Sequence, residues 1–281
     1  MKKDNKMGTY EQIIHVTKYA RYLEDKKRRE TWEETVTRYM DYMSSKVDLK
    51  GTYKELHGAL LRQEIVPSMR LLMTAGEACE RDNIAAFNCA YTSISSKRVF
   101  SEILYILMNG TGIGFSNERK KIDLLPPIPK GLSWSDDTIV VADSKKGWAV
   151  AFRKLMSSLW EGDIPNVDYS KIRPAGARLK TFGGRASGPL PLQNLFTFVT
   201  ETFKAAQGRK LNSLEVHDII CMIGDIVVVG GVRRSALIGL SNLTDHRMRD
   251  AKTGQWYLPV QDGGNPHRML ANNSVCYTEQ P

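Results

Sequence analysis

Residues 85–116, AAFNCAYTSISSKRVFSEILYILMNGTGIGFS, decide the reading of the fold. Ala85 to Ile94 is a short, largely apolar run of strand character, and Val99 to Met108 reads as a helix. Asn109-Gly110 closes that helix, because Gly and Asn tolerate the left-handed backbone of a C-cap. The same alternation continues downstream. Thr138 to Ala142 is a second strand candidate, and Gly147 to Trp160 a helix with Trp148, Phe152, Leu155 and Leu159 on one side. Leu192 to Ala206 is helical with a Phe-rich face, and Asn212 with Glu215 caps a helix whose apolar positions are Val216, Ile219, Ile220, Ile223 and Val227. Ser235 to Ser241, entered through Gly230-Gly231, and Asn273 to Tyr277 complete the strands. Strands separated by helices of ten to fifteen residues predict an α/β fold with mainly parallel strands.

Upstream the texture differs. The first sixty residues or so read as charged and helical, with Thr31 and Glu34 in capping-box spacing ahead of Trp32, Val36, Tyr39, Met40 and Met43 on one face. The run Lys26-Lys27-Arg28-Arg29 suits an acidic partner or a solvated surface. With 42% apolar and 25% charged residues, the 281-residue chain has the composition of a folded globular protein, which excludes wholesale disorder. The formal charge of +9 suits a phosphate-bearing partner without separating nucleotide from nucleic acid. Cys79, Cys89, Cys221 and Cys276 lie too far apart for a structural zinc site. No apolar run is long enough for a signal peptide or membrane span, so a cytoplasmic protein is expected. The chain stops at Glu279-Gln280-Pro281, directly after a strand candidate, where an α/β domain normally continues; a truncated or split protein is expected from this.

Several stretches have the composition of a site. Asn109-Gly-Thr-Gly-Ile-Gly-Phe-Ser116 allows close backbone approach to a phosphate or sugar, or is a plain glycine turn. It is neither a P-loop nor a dinucleotide fingerprint, since no Gly-Lys-Ser/Thr follows and it succeeds a helix rather than opening one. Ile172 to Leu192 packs prolines, glycines and arginines into a loop suited to an anionic nucleotide, or to a long solvated connection. Gly230-Gly-Val-Arg-Arg-Ser-Ala236 hands two arginines to a strand, and Trp256 to Asn273 is a polar loop of the kind that orders around ligands. Cys89, taken alone, reads as a small buried hydrophobe, as do Cys221 and Cys276; His217 reads as structural.

These stretches occur in order with Pro67-Ser-Met-Arg70, Phe87-Asn-Cys89, Gly147-Trp148 and Ala271-Asn-Asn-Ser-Val275. The series resembles the N-terminal half of the adenosylcobalamin-dependent (class II) ribonucleotide reductases, especially the triphosphate-reducing type, from about Tyr19 onward. The resemblance implies a helical N-terminal region at 1–63 and, over 64–281, the first half of a ten-stranded α/β barrel. It implies the conversion of ribonucleoside triphosphates to deoxyribonucleotides for DNA synthesis by thiyl-radical chemistry with dithiol oxidation. The cofactor implied is adenosylcobalamin, most of whose contacts are expected in the other half. The implied partners are a dNTP effector, thioredoxin or an equivalent dithiol, and the complementary C-terminal half; no membrane or direct nucleic-acid partner is expected.

By the same resemblance, Cys89 is a redox-active reducing thiol whose partner cysteine is absent from this chain. Ser68, Asn88, Thr111 and Gly112 fall where substrate is contacted. Arg178, Gly183, Gly184 and Arg185 belong to the loop that reads the effector, and His267 and Arg268 to the loop that relays it. The segment between Phe115 and Gly147 looks shorter than in the monomeric triphosphate reductases. The alternatives are a large-subunit fragment of a class I reductase, which uses the same barrel, and a non-catalytic nucleotide-binding module.

Overall fold

The computed structural model describes residues 7–177, 185–229 and 236–277, and two compact units divide the chain between Asn88 and Cys89. In the first unit α1 (Thr9–Ile14) runs into a π-helical turn at His15–Tyr19, and β1 (Tyr22–Leu23) pairs antiparallel with β2 (Arg28–Arg29). Helices α2 (Trp32–Lys46), α3 (Tyr53–Leu61), α4 (Met69–Thr74) and α5 (Glu77–Arg81) follow, then a 3-10 turn at Asn83–Ala86.

The expected capping box opens α2. The Thr31 hydroxyl accepts from the Glu34 N–H at 3.2 Å, and Glu34 accepts from the Thr31 N–H at 2.8 Å. The same Glu34 also takes Lys26 and Arg28, so half of the basic run is paired on its own surface.

Val36, Met40 and Leu60 form a small apolar centre in this unit, and a buried carboxylate works alongside it. Glu30 accepts two bonds from the Arg38 guanidinium at 2.7 and 2.9 Å, one from Thr35 and one from the Arg21 N–H. Arg38 also donates to the Leu72 and Ala75 carbonyls, and Arg21 to Thr74. One polar knot therefore ties the end of the hairpin, α2 and the end of α4.

The second unit begins with β3 (Cys89–Ser93), α6 (Val99–Met108), β4 (Gly112–Ser116) and α7 (Arg119–Ile122). It continues with β5 (Ser133–Val140), α8 (Lys145–Glu161), β6 (Asp163–Asp168), α9 (Leu190–Ala205) and α10 (Ser213–Val229). Its last elements are β7 (Leu237–Asn242), α11 (His246–Arg249) and β8 (Ala271–Cys276). Strands β3-β4-β7-β8 form one sheet in that order, every pair parallel, so the α/β expectation holds. Strands β5 and β6 pair parallel with each other, apart from that sheet. The strand expected from Ala85 begins instead at Cys89, because Asp82 caps the 3-10 turn before it, accepting from the Ile84 N–H at 3.0 Å.

Helix α10 is positioned by the expected cap: the Asn212 side chain accepts from the Leu214 and Glu215 N–H groups, and Glu215 accepts from the Asn212 N–H. The core joins Phe100, Ile103, Leu104 and Leu107 of α6, Phe152, Leu155 and Leu159 of α8, and Leu195, Val199 and Phe203 of α9. Val216, Ile219, Ile220 and Ile223 of α10 complete it. At Gly147 of α8 a Cβ would stand 2.3 Å from the Ala142 carbonyl oxygen, so this helix start approaches the preceding chain as closely as a glycine allows.

Burial alone would raise the Glu30 carboxyl, but hydrogen bonds from Arg38, the Arg21 N–H and Thr35 outweigh it and hold it below its ordinary value of 4.5. A depressed carboxylate stabilises the fold above its unfolded pKa, and that contribution fades as pH falls through the folded value. Glu30→Gln, which leaves the half-buried Arg38 guanidinium without its countercharge, is expected to cost about 3 kcal/mol in chemical denaturation at pH 7. The gap from the unsubstituted chain should narrow below pH 4.5.

Candidate functional site

The register of the four-stranded sheet collects the sequence motifs at one edge. Cys89 pairs with Gly112, Ile113 with Leu237, and Leu237 with Ala271, so β3, β4, β7 and β8 all begin on nearly one line. The glycine motif enters β4 there, β7 follows Ala236, and the polar loop enters β8 through a 3-10 turn at Pro266–Leu270.

The two faces of this sheet differ. Side chains alternate along a strand. Ile113, Phe115, Leu237 and Ala271 are buried in the core on one face. The alternate positions run in register as Tyr91, Gly114, Ile238 and Asn272, with Cys89 and Gly112 beside them at the edge. Tyr91 is 60% exposed and Ile238 38%, so this face is bare. A Cβ on Gly114 would meet Ile238 at 3.3 Å and Tyr91 at 3.6 Å, which confirms that the three share it.

Cys89 is exposed and unbonded, not the buried hydrophobe expected of a cysteine in an apolar strand, because the strand begins at that residue and turns it to the bare face. Gly112 is its in-register neighbour, about 4.8 Å away, and carries no side chain. Thr111 is buried, and its N–H is held by the Ile106 carbonyl at the end of α6. Of that pair, Gly112 is the residue that faces outward.

Asn109 is likewise structural, donating to Tyr105 and accepting from Lys145 at 3.1 Å. In the first unit Asn88 is exposed immediately before Cys89, and Ser68 is exposed as the N-cap of α4.

Arg178, Gly183 and Gly184 lie outside the described residues, as does 230–235. Arg185 is exposed and donates to the Gly176 carbonyl at 3.0 Å, where the backbones of Gly176–Ala177 and Ala186 close the neck of the Gly-rich loop. His267 and Arg268 both lie against Asp218 of α10. Arg268 donates to both oxygens of Asp218 at 2.8 and 2.6 Å and to the Ala251 carbonyl at 2.8 Å. His267 is buried, edge-on to Phe198, with Nε2 3.5 Å from Asp218.

Asp218, which sequence reading missed, gathers this loop onto α10. Its signal was present: a His-Asp pair within an otherwise apolar helical face. The neighbouring His217 contacts Asn273 at 3.2 Å and lies against Phe115 and Gly239, a structural role as expected. Burial raises the Cys221 thiol beside it, which keeps it protonated and inert.

Residues 133–203 match the family model described as B12-dependent ribonucleotide reductase, insertion domain. Those residues span β5 to most of α9, so the separate strand pair falls inside the match. The chain is 28% identical to the adenosylcobalamin-dependent ribonucleoside-triphosphate reductases of Lactobacillus acidophilus and Lactobacillus leichmannii, in both cases over 94% of this chain and 44% of theirs. It is 26% identical to that of Lacticaseibacillus paracasei over 95% of this chain and 45% of the relative. A crystal structure of a B12-dependent (class II) ribonucleotide reductase superposes with a TM-score of 0.80 at 24% identity, covering 94% of this chain and 45% of that one. The resemblance read from the motifs stands, and the fold is that of the class II reductase over the matched span. The chain thus spans less than half the length of the curated relatives it matches. The acidophilus alignment runs over 340 positions, more than the 281 residues present here, so that relative carries additional residues within the span.

Asp218 is buried, yet bonds from His217, His267 and Arg268 outweigh desolvation and hold it well below the usual carboxylate range. Asp218→Asn is expected to lower stability by about 3 kcal/mol at pH 7 and to raise hydrogen exchange in residues 252–272, because Arg268 loses its countercharge. An unchanged melting profile and unchanged exchange would show that the loop is held elsewhere.

Proposed function

We propose that this chain forms the thiol-bearing half of a ribonucleoside-triphosphate reductase that makes deoxyribonucleotides for DNA synthesis. The observation that carries the reading is Cys89, exposed at the start of β3 on a bare sheet face and paired in register with Gly112, which has no side chain. By resemblance Gly112 and Asn88 would contact substrate, and Ser68 belongs to the segment that approaches its phosphates. Adenosylcobalamin, when bound, supplies the radical that activates the ribose; by resemblance most of its contacts fall outside this chain, and no residue here is assigned to it. The part of Cys89 is reductive. Its thiol and a second thiol give two electrons and two protons, the ribose 2′-hydroxyl leaves as water, and the two sulfurs join as a disulfide that thioredoxin or another dithiol reopens. A free, accessible thiol suits both steps, since the disulfide must form and be re-reduced.

The bare face also supports the complementary half as a partner. Parallel sheets are ordinarily covered on both faces, and the other half of the barrel would supply that cover. The Gly-rich loop closed by Arg185 is proposed to read a deoxynucleoside triphosphate. His267 and Arg268 would act by placing the polar loop, given their hold on Asp218. A cytoplasmic setting fits a thiol that must remain reducible. The relatives' names favour cobalamin over the separate radical-generating subunit of a class I enzyme.

Reconstitution tests the reading. The chain is mixed with a polypeptide carrying the downstream half of a class II reductase, adenosylcobalamin, a dithiol and CTP or ATP, and deoxynucleotide is measured. Product is expected, and Cys89→Ser is expected to abolish it while leaving assembly intact. Product formation undiminished by the serine would remove this thiol from the chemistry. A folded assembly that binds nucleotide without turnover would favour the non-catalytic module.

A further inference from the structure

At the opposite end of the same strands lies a feature that the proposed reductase activity does not use. A cavity of about 620 Å³ opens where β4 and β7 end, lined by Arg119, Asp123, Arg209, Lys210, Asp245 and Arg247. His246 and the first residues of α10, Asn212 and Ser213, complete its wall. The volume is that of a small-molecule site, and the carboxyl ends of parallel strands are where open α/β sheets commonly receive ligands.

The charges in the wall favour an anion. Arg209 is held by Glu215, whose carboxylate it balances. Asp245 is turned into its own helix, accepting from the Met248 N–H at 3.3 Å as the cap of α11. Asp123 remains against Arg119, Lys210 and Arg247.

Two of these cations are fixed in direction. The Arg119 guanidinium bonds the Thr244 hydroxyl, while its N–H donates to the Asn242 side chain at 2.8 Å. Lys210 donates to the Asp123 carbonyl, so two loops are stitched across the mouth. Arg247 is exposed, and no bond from its guanidinium is recorded among the described residues. A merely solvated basic face would not need three separate chain segments, at 119–123, 209–213 and 244–247, to converge on one concavity.

We infer that this cavity is a second, anion-binding site that takes a small molecule carrying two or more phosphate groups. Arginine matches phosphate oxygens in bidentate fashion, and a concave setting strengthens each such bond over one at an open surface. The site stands on the 119–123, 209–213 and 244–247 segments alone, so it does not depend on the reductase reading.

Isothermal titration of the 281-residue chain with inorganic triphosphate, and separately with ATP, tests it. One-site binding of triphosphate is expected. The Arg119→Ala/Arg247→Ala double variant should weaken it by about tenfold or more, the loss of two charge-assisted contacts. Removing two cations from the outer face of α8, as Arg153→Ala/Lys154→Ala, should leave the affinity within about twofold, which separates a site from net charge.

Equal affinity for ATP and triphosphate means that the phosphates alone are recognised, and tighter ATP binding means that the nucleoside adds contacts; both support the site. Circular dichroism and melting of the double variant are expected to match the parent chain. If they do not, Arg247→Glu, an exposed position, replaces it in the same titration. Three results overturn the inference: no heat with triphosphate up to millimolar concentration, equal weakening by the α8 control, or steeply salt-dependent binding of single-stranded DNA in place of triphosphate.

Discussion

The closeness of α10 to the sheet is the constraint on which the second unit depends. Gly239 lies where a Cβ would come within 3.1 Å of Phe115 and 3.3 Å of His217, so β7 carries no side chain at the point where the helix presses down. That contact fixes one face of the sheet as the core face, with Ile113, Phe115, Leu237 and Ala271 upon it. Because alternate residues of a strand point oppositely, it equally fixes Cys89, Tyr91, Gly114 and Ile238 on the other. A slip of one residue in β3 would bury the thiol and expose Ala90. The accessibility of Cys89 is thus decided by packing on the side of the sheet that Cys89 does not face.

The close approach also brings polar groups into the helix–sheet layer. His217 meets Asn273 of β8, and Asp218, one residue on, meets Arg268 and His267 from the turn before that strand. Burying a carboxylate there is tolerable because the Arg268 guanidinium donates to both its oxygens and His217 lies beside it, and the loop that carries Arg268 is held down in consequence. The first unit solves a similar problem in the same way: Glu30 gathers Arg38, Thr35 and the Arg21 backbone around a small apolar centre. In both units a buried acid fixes a segment that apolar contacts alone would hold loosely.

What sequence shows well is what short-range chemistry determines. The Thr31–Glu34 and Asn212–Glu215 boxes, the span of α6 and its end at Asn109-Gly110 were all legible, since each depends on residues within a turn or two. The alternation of strands and helices also gave the fold class. The separation of β5 and β6 from the main sheet was not legible. A strand, a helix and a parallel strand read alike whether the pair stands alone or joins a larger sheet, and only long-range pairing tells them apart. The partner of Arg268 and the exposure of Cys89 failed to show for a related reason. Asp218 is fifty positions from Arg268, and the exposure of Cys89 follows from where a capped 3-10 turn ends and β3 starts.

Charge follows the same division between local pairing and tertiary placement. The excess of 40 basic over 31 acidic side chains first suggests a broad phosphate-binding surface. Part of it is absorbed in ion pairs, some between near neighbours and some across the fold: Lys26 and Arg28 sit on Glu34, Arg38 on Glu30, Arg209 on Glu215 and Arg268 on Asp218. Pairs as buried as those at Glu30 and Asp218 have surrendered their hydration and cannot exchange partners cheaply, so they act as structure. The cations able to meet an incoming anion are those left half in water, where leaving one weak contact for a phosphate costs little. Arg119, Lys210 and Arg247 meet that description at the carboxyl end of the sheet, while the thiol stands at the other. The five residues of β4 set the two ends about 13 Å apart, so occupancy of one leaves the other sterically open.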